Sequence, residues 1–189
     1  MTAADHKVDY GPLTSLIGKW VGETGLDVAP DHDCEPCERK FIDELTFVGV
    51  GHVSNAGKQS LLAVKYHQLV KHCEDQNVLH DQIGHWLYEP STGIVMHSLT
   101  IPRGVCVLAG GTAKTDGANV VFDVEANRGN ETFGILQSPF MDQNARTDSF
   151  QMTLTVTGDQ LTYRQSTKLF IYGKQFDHVD SSELRRVQN

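Results

Sequence analysis

The stretch FQMTLTVTGDQLTYRQSTKL, residues 150–169, decides the fold. Apolar and polar residues alternate along 150–156 and again along 161–169, and Gly158-Asp159 stands between the two runs. Alternation with period two is typical of a strand that buries one face, and a Gly-Asp pair between two such runs predicts a hairpin. The inner face of the second strand is expected to carry Leu161, Tyr163, Thr167 and Leu169, and its outer face Arg164 and Lys168.

Further runs with the same alternation fill most of the chain, and turn-forming residues such as Asn55-Ala56-Gly57 and Asp116-Gly117 separate them. About ten sequential strands joined by short turns predict an all-β fold, a single antiparallel up-and-down barrel, because closure removes the exposed sheet edges. A β-sandwich is the alternative. The runs before the hairpin are 19–26, 40–50, 58–70, 78–89, 93–101, 105–115 and 119–126, and a short one follows at 183–187.

Three stretches depart from the alternation. Pro12–Ile17 has the spacing of one helical turn, and its apolar side chains Leu13, Leu16 and Ile17 are expected to plug one end of the barrel. Residues 129–146 and 170–182 are longer and rich in turn-forming residues. We interpret both as loops at the barrel rim, where entry to a cavity is usually controlled.

The composition suits one globular domain over residues 1–189, with the barrel core at about 13–187. Hydrophobic residues make up 39% of the chain and charged residues 21%, which is ordinary for a folded protein. The 16 Lys and Arg against 24 Asp and Glu give a formal charge of −8, which repels phosphate backbones and anionic lipids. We therefore expect neither nucleic-acid nor membrane binding.

The N-terminus, Met1–His6, lacks the basic and apolar regions of a secretory leader, which favours a cytoplasmic protein. A reducing compartment would keep the four cysteines as thiols, so no disulfide is expected. Cys34 and Cys37 form a Cys-x-x-Cys, which can be half of a zinc site or a redox pair. No second half follows, so a plain rim loop is the favoured interpretation.

Several motifs resemble those of one family. Gly18-Lys19-Trp20 is similar to the Gly-x-Trp signature of lipocalin-like barrels, and GKWVGETG at 18–25 resembles the Gly-x-Trp-x-Gly-x-Gly of the nitrobindins with one extra residue. LHDQIGHW at 79–86 is similar to the family's His-x-Glu-x-Gly-aromatic strand, and Pro102-Arg103-Gly104 to its Pro-x-Gly turn. Leu161-Thr162-Tyr163 and the stretch from His178 to Leu184 resemble the family's last strands.

This resemblance to the nitrobindin-like haem-binding barrels implies a pocket for haem b. His178 would be the proximal ligand of a ferric iron, with His80, Thr167 and Tyr163 beside the haem. A single protein ligand leaves an open iron position for nitric oxide or peroxynitrite, and the resemblance implies a peroxynitrite isomerase as the activity. Thr167 stands where the family has a Met, and Ser181 where it has an Ala.

Two pairings follow from these expectations. Asp177 and Asp180 flank His178, so either carboxylate is a candidate to accept a hydrogen bond from its ring and orient it. Arg185 or Arg186 is expected to stack on Trp20 at the narrow end of the barrel.

Other functions suit the same barrel. An intracellular carrier of a fatty acid or another small hydrophobic ligand needs no metal, but requires an inward arginine for the carboxylate. The orientations of Arg103 and Arg186 discriminate between carrier and haem protein.

A third possibility is a filled barrel that acts through its outer surface, with homodimerisation through an outer face. His85 and His97 lie in predicted strands, and a structural role is favoured for both. The side chains that would fill the interior are Phe41, Phe47, Phe122, Phe150 and Trp86.

Overall fold

The structure is a computed structural model that describes residues 8–188. Residues 1–6, on which the expected location of the protein rests, lie outside this range. The described chain forms a 3-10 turn, one short helix and eleven strands. Their bounds are 3-10 turn Gly11–Ser15, β1 Gly18–Pro30, β2 Pro36–Ala56, β3 Gln59–His72, β4 Val78–Glu89, β5 Ile94–Ile101, β6 Val105–Asp116, β7 Asn119–Asn127, β8 Ile135–Gln137, α1 Pro139–Asn144, β9 Ala145–Thr157, β10 Gln160–Ile171 and β11 Lys174–Arg186.

The strands close into an antiparallel ring. The strands from β1 to β7 pair in chain order, β7 joins β9 past β8, β9 to β11 again pair in order, and β11 returns to β1. Ten strands form the ring, and β8 is an extra strand that pairs with the first residues of β6. This confirms the predicted up-and-down barrel. Within residues 8–188, neither helical segment has the length and apolar character needed to cross a membrane.

The N-terminal turn plugs one end of the barrel, as the sequence predicts. Leu13 and Leu16 are fully buried against Trp20, whose indole Nε1 donates to the carbonyl of Leu16 at 2.7 Å. Arg186 lies over the indole, 4.0 Å from the ring centroid. The same guanidinium donates to the carbonyls of Ile17 and Ser15, so it fastens the turn to the barrel. Of the two arginines expected here, Arg186 is the one that stacks.

Replacing Arg186 with lysine is expected to lower the free energy of unfolding by about 1–2 kcal/mol, measured by urea denaturation. Lysine keeps the charge but lacks the planar fork that contacts two carbonyls, the indole and the carboxylate of Asp159 together. Arg185 is the matched control, because it is exposed on the same strand and Arg185→Lys should change stability by less than about 0.5 kcal/mol. Equal effects of the two substitutions would contradict this assignment.

The prediction of a loop at 170–182 is wrong. The segment is a tight hairpin whose turn is Tyr172-Gly173, and both residues have positive φ, at 54° and 75°. Positive φ at both central positions is typical of a type I′ turn, which matches the twist of the flanking strands. β11 therefore starts at Lys174 rather than at 183, and His178 lies in a strand, not in a loop.

Residues 129–146 contain the irregular part of the fold, together with β8 and α1. The segment folds back over the outside of the barrel, where the Phe133 ring occupies the space that a Cβ on Gly110 would need. Gln137 then bridges to β9, because its side chain donates to the Thr147 carbonyl at 3.0 Å and accepts from the Thr147 amide at 2.9 Å. The Gln137 side chain thus makes the hydrogen bonds to the β9 backbone that a neighbouring strand would otherwise make.

Candidate functional site

The end of the barrel opposite Trp20, which we call the mouth, is formed by the turns at 31–35, 73–77 and 172–173. The turns at 31–35 and 172–173 are linked, because Lys174 Nζ donates to the carbonyl of Asp33 at 3.0 Å. On the inner side of the mouth, Asp27 of β1 and Asp180 of β11 are register partners. His178 is the next inward residue of β11, and its Nε2 lies 2.7 Å from Asp27 Oδ1 and 3.5 Å from Asp180 Oδ1.

The two carboxylates hold the imidazole as a cation. The side chains of His178, Asp27 and Asp180 are only 28%, 17% and 20% exposed. Burial lowers the pKa of His178, but hydrogen bonds and charges from Asp180 and Asp27 outweigh burial and raise the pKa to about 10. Gln165 of β10 donates to the second oxygen of Asp180 at 3.3 Å and so orients this carboxylate.

The β10 and β9 residues beside this cluster complete the inner wall of the mouth. Thr167 is the register partner of His178 across β10 and β11. Phe150 and Met152 oppose Thr167 and Gln165 across β9 and β10, and both are buried. The wall therefore combines an ionic group on β1 and β11 with apolar surface on β9.

Deeper in the barrel, a second polar group centres on Asp43, which is fully buried on β2. Its carboxylate accepts from the Tyr163 hydroxyl at 2.7 Å and from the Gln68 amide at 3.2 Å. Burial raises the pKa of Asp43 to about 6, although these hydrogen bonds oppose the rise. Tyr163 is thus committed to a structural hydrogen bond below the mouth.

A third polar group crosses β3, β4 and β5. His80 donates to the side-chain oxygen of Gln82 at 3.1 Å, and Gln82 in turn donates to the Tyr66 hydroxyl. That hydroxyl lies 2.8 Å from Nε2 of His97, which stacks on Trp86 at 4.2 Å between centroids. Burial lowers the pKa of His97 to about 3, so its imidazole is neutral. His97 therefore packs as a core residue, and His85 faces outward and is exposed.

The structure distributes the predicted site residues over two levels of the barrel. It brings Thr167 and His178 together at the mouth and places Tyr163 below, with Asp43. His80 faces the interior from β4, bonded to Gln82. Of the two acids expected beside His178, Asp180 is its neighbour, whereas Asp177 faces outward and accepts from Ser166.

Sequence reasoning missed Asp27 and Gln165. Asp27 is 151 residues from His178 in the chain, and a register shift between Gly22 and Gly25 interrupts the alternation of β1 before it. The signal for Gln165 was present, because it lies between Tyr163 and Thr167 with the spacing of the inner face.

The positions of Arg186 and Arg103 do not favour a carrier of fatty acids. Arg186 lies at the closed end over Trp20, and Arg103 is exposed in a turn. The five large side chains that were expected to fill the interior are all buried, at most 3% exposed: Phe41, Phe47, Phe122, Phe150 and Trp86.

The side chains of the mouth fit a haem. Nε2 of His178, an atom type that binds haem iron, lies near the open end between Asp27 and Asp180, and Thr167 beside this histidine is small and uncharged. The β9 side chains beside this group, Phe150 and Met152, are apolar, as the wall of a porphyrin site requires, and both are buried in this structure. The four cysteines are free, so no disulfide restricts the mouth within the described residues.

Comparisons with known proteins agree with this architecture. A search of the curated proteins finds no match. The crystal structure of Rv2717c from M. tuberculosis is similar, with a TM-score of 0.69 and 20% identity over 95% of this chain and 100% of that one, which shows the fold. Residues 9–186 match the family model described as "THAP4-like, heme-binding beta-barrel domain". Because this match spans nearly the whole chain, the protein belongs to the THAP4-like haem-binding β-barrel family.

Proposed function

We propose that the protein binds haem b in the mouth of the barrel, with the ferric iron held by Nε2 of His178. The observation that carries the proposal is the position of this imidazole, which points inward from β11 and is partly accessible at the open end. His80 and Thr167 are the other residues that we assign to the pocket, and Tyr163, bonded to Asp43, would form its floor. The family match supports haem as the ligand class.

The residues of the mouth have distinct tasks in this proposal. A haem iron with one protein ligand supplies an open coordination position for a small molecule such as nitric oxide or peroxynitrite. Nε2 of His178 must give up its proton and its contact with Asp27, since one nitrogen cannot both donate to a carboxylate and bind a metal. The ring would have to turn, and Asp27 or Asp180 would then accept a hydrogen bond from Nδ1 and fix the orientation of the imidazole.

A haemin titration followed by Soret absorption tests the proposal. Wild-type protein is expected to give a saturable, red-shifted band, and His178→Ala should weaken binding on the order of 100-fold or abolish it, with partial recovery by added imidazole. His67→Ala is the matched control, because His67 also pairs with an aspartate, Asp81 at 3.0 Å, but on the exposed outer face. Equal bands in wild type and His178→Ala would overturn the assignment of His178, and no band in wild type would overturn haem binding.

The small-molecule ligand is tested next on the haem-loaded protein. Nitric oxide is expected to shift the Soret band, and loss of peroxynitrite with formation of nitrate would identify an isomerase. Thr167→Met restores the residue that the resembling family has near the haem. This variant should retain haem binding while moving the band maximum, whereas the same spectrum as wild type would place Thr167 away from the haem.

A further inference from the structure

The mouth holds an unusual charge arrangement for the inside of a barrel. Asp27 and Asp180 are register partners across two antiparallel strands, and both point inward. Like charges in this position repel at close range, so the pair requires a cation. His178 supplies at most one positive charge against two negative ones. Arg39 opposes Asp27 on β2, but it is exposed and forms no ion pair with it among the described residues.

The donor atoms already have the spacing of a metal coordination sphere. Nε2 of His178 lies 2.7 Å from one carboxylate oxygen and 3.5 Å from the other, and one ligand atom from each of the three residues lies within 4.8 Å of the others. Zinc binds imidazole nitrogen and carboxylate oxygen at about 2.0–2.2 Å, which separates tetrahedral ligand atoms by about 3.4 Å. The three side chains therefore require only small adjustments to share one ion.

The surroundings favour an ordered site. All three residues are on paired strands, not on loops, so the backbone fixes their relative positions. Gln165 holds Oδ2 of Asp180 at 3.3 Å, and Oδ1 of the same carboxylate faces the imidazole. An outer hydrogen bond that orients a carboxylate ligand is a regular feature of metal sites.

We propose that Asp27, His178 and Asp180 bind a divalent transition-metal ion such as Zn²⁺ in the haem-free protein. One nitrogen and two carboxylates form a three-ligand set that leaves a fourth position for water. The zinc site does not depend on the proposed function, but one consequence does. If His178 also binds haem iron, the two metals compete for the same nitrogen, so bound zinc blocks haem uptake.

Calorimetric titration of haem-free protein with Zn²⁺ tests the site. Wild type is expected to bind one ion, and Asp27→Asn and Asp180→Asn should each weaken binding on the order of 100-fold. Asp31→Asn is the matched control, because Asp31, His32 and Asp33 form a comparable but mostly exposed group in the turn at 31–35 and should not contribute. Circular dichroism confirms that each variant is folded.

Co²⁺ identifies the donor atoms without any substitution. A site of nitrogen and oxygen ligands gives visible d–d bands without the near-ultraviolet thiolate band that binding at Cys34 and Cys37 would produce. A thiolate band, a loss of binding in Asp31→Asn but not in Asp27→Asn, or no saturable binding to wild type would overturn the proposal.

Competition separates this inference from the haem assignment. Saturating Zn²⁺ should raise the haemin concentration needed for half-saturation at least about tenfold in wild type and leave Asp27→Asn unaffected. Zinc binding without any Soret band would sink the haem proposal alone. A Soret band that depends on His178, in a protein that does not bind zinc, would sink the zinc site alone.

Discussion

Replacing Trp20 with alanine is expected to lower the free energy of unfolding by about 4 kcal/mol, the largest effect of any single substitution discussed for this barrel. Trp20 is 0% exposed and packs against the N-terminal plug, and its loss leaves a cavity that the strands cannot close. The substitution also removes the hydrogen bond to Leu16 and the ring beneath Arg186. Urea denaturation measures the change directly.

Two further variants separate these contributions. Trp20→Phe keeps much of the buried surface but loses the Nε1 donor, so a smaller loss of about 2 kcal/mol is expected. Phe140→Ala removes an aromatic ring that is 68% exposed on α1, and it should change stability by less than about 0.5 kcal/mol. Similar losses for Trp20→Ala and Phe140→Ala would show that the plug does not hold the closed end together.

Replacing Asp43 with asparagine is expected to remove a pH dependence of stability. Burial raises the pKa of Asp43 from 3.8 to about 6. The buried carboxyl therefore favours the folded state most below pH 3.8, and this contribution is lost as the pH rises to 6, because ionisation then costs more in the folded state than in the unfolded one. The difference between the two pKa values corresponds to about 3 kcal/mol.

The measurement is the free energy of unfolding of wild type and Asp43→Asn at pH 4 and pH 7. Other carboxylates titrate over the same range, so the quantity to compare is the difference between the two proteins. The stability of the variant relative to wild type should rise by about 2 kcal/mol from the lower to the higher pH, because part of the full effect is already lost at pH 4. Asp116→Asn, at an exposed hairpin end, should show no such change. A pH-independent difference between wild type and Asp43→Asn would mean that folding does not raise the pKa of Asp43.

The histidine at the centre of the proposed site shows how far sequence reasoning reaches. Family resemblance pointed to His178, and the acid two residues later, Asp180, followed from adjacency in the chain. The flanking Asp177 was equally close in sequence, yet it faces outward because successive side chains of a strand alternate between the two faces. A loop over 170–182 would have no such alternation. Because the turn is only Tyr172-Gly173, residues 174–182 belong to β11 and their side chains alternate between its two faces.

The sequence by itself determined the fold class and the plugged end. Period-two alternation and turn residues are local properties, so they identify strands without knowledge of register. The spacing of Leu13 and Leu16, together with the resemblance of Gly18-Lys19-Trp20 to the lipocalin-like signature, identifies the closed end. Only the tertiary structure decided which residues of distant strands lie opposite each other. The closure of β1 onto β11 sets Asp27 against Asp180 beside His178, and the bulge between Gly22 and Gly25 sets their register. Contacts between strands so far apart in sequence depend on closure and register, and a one-residue slip would turn each of these side chains to the other face.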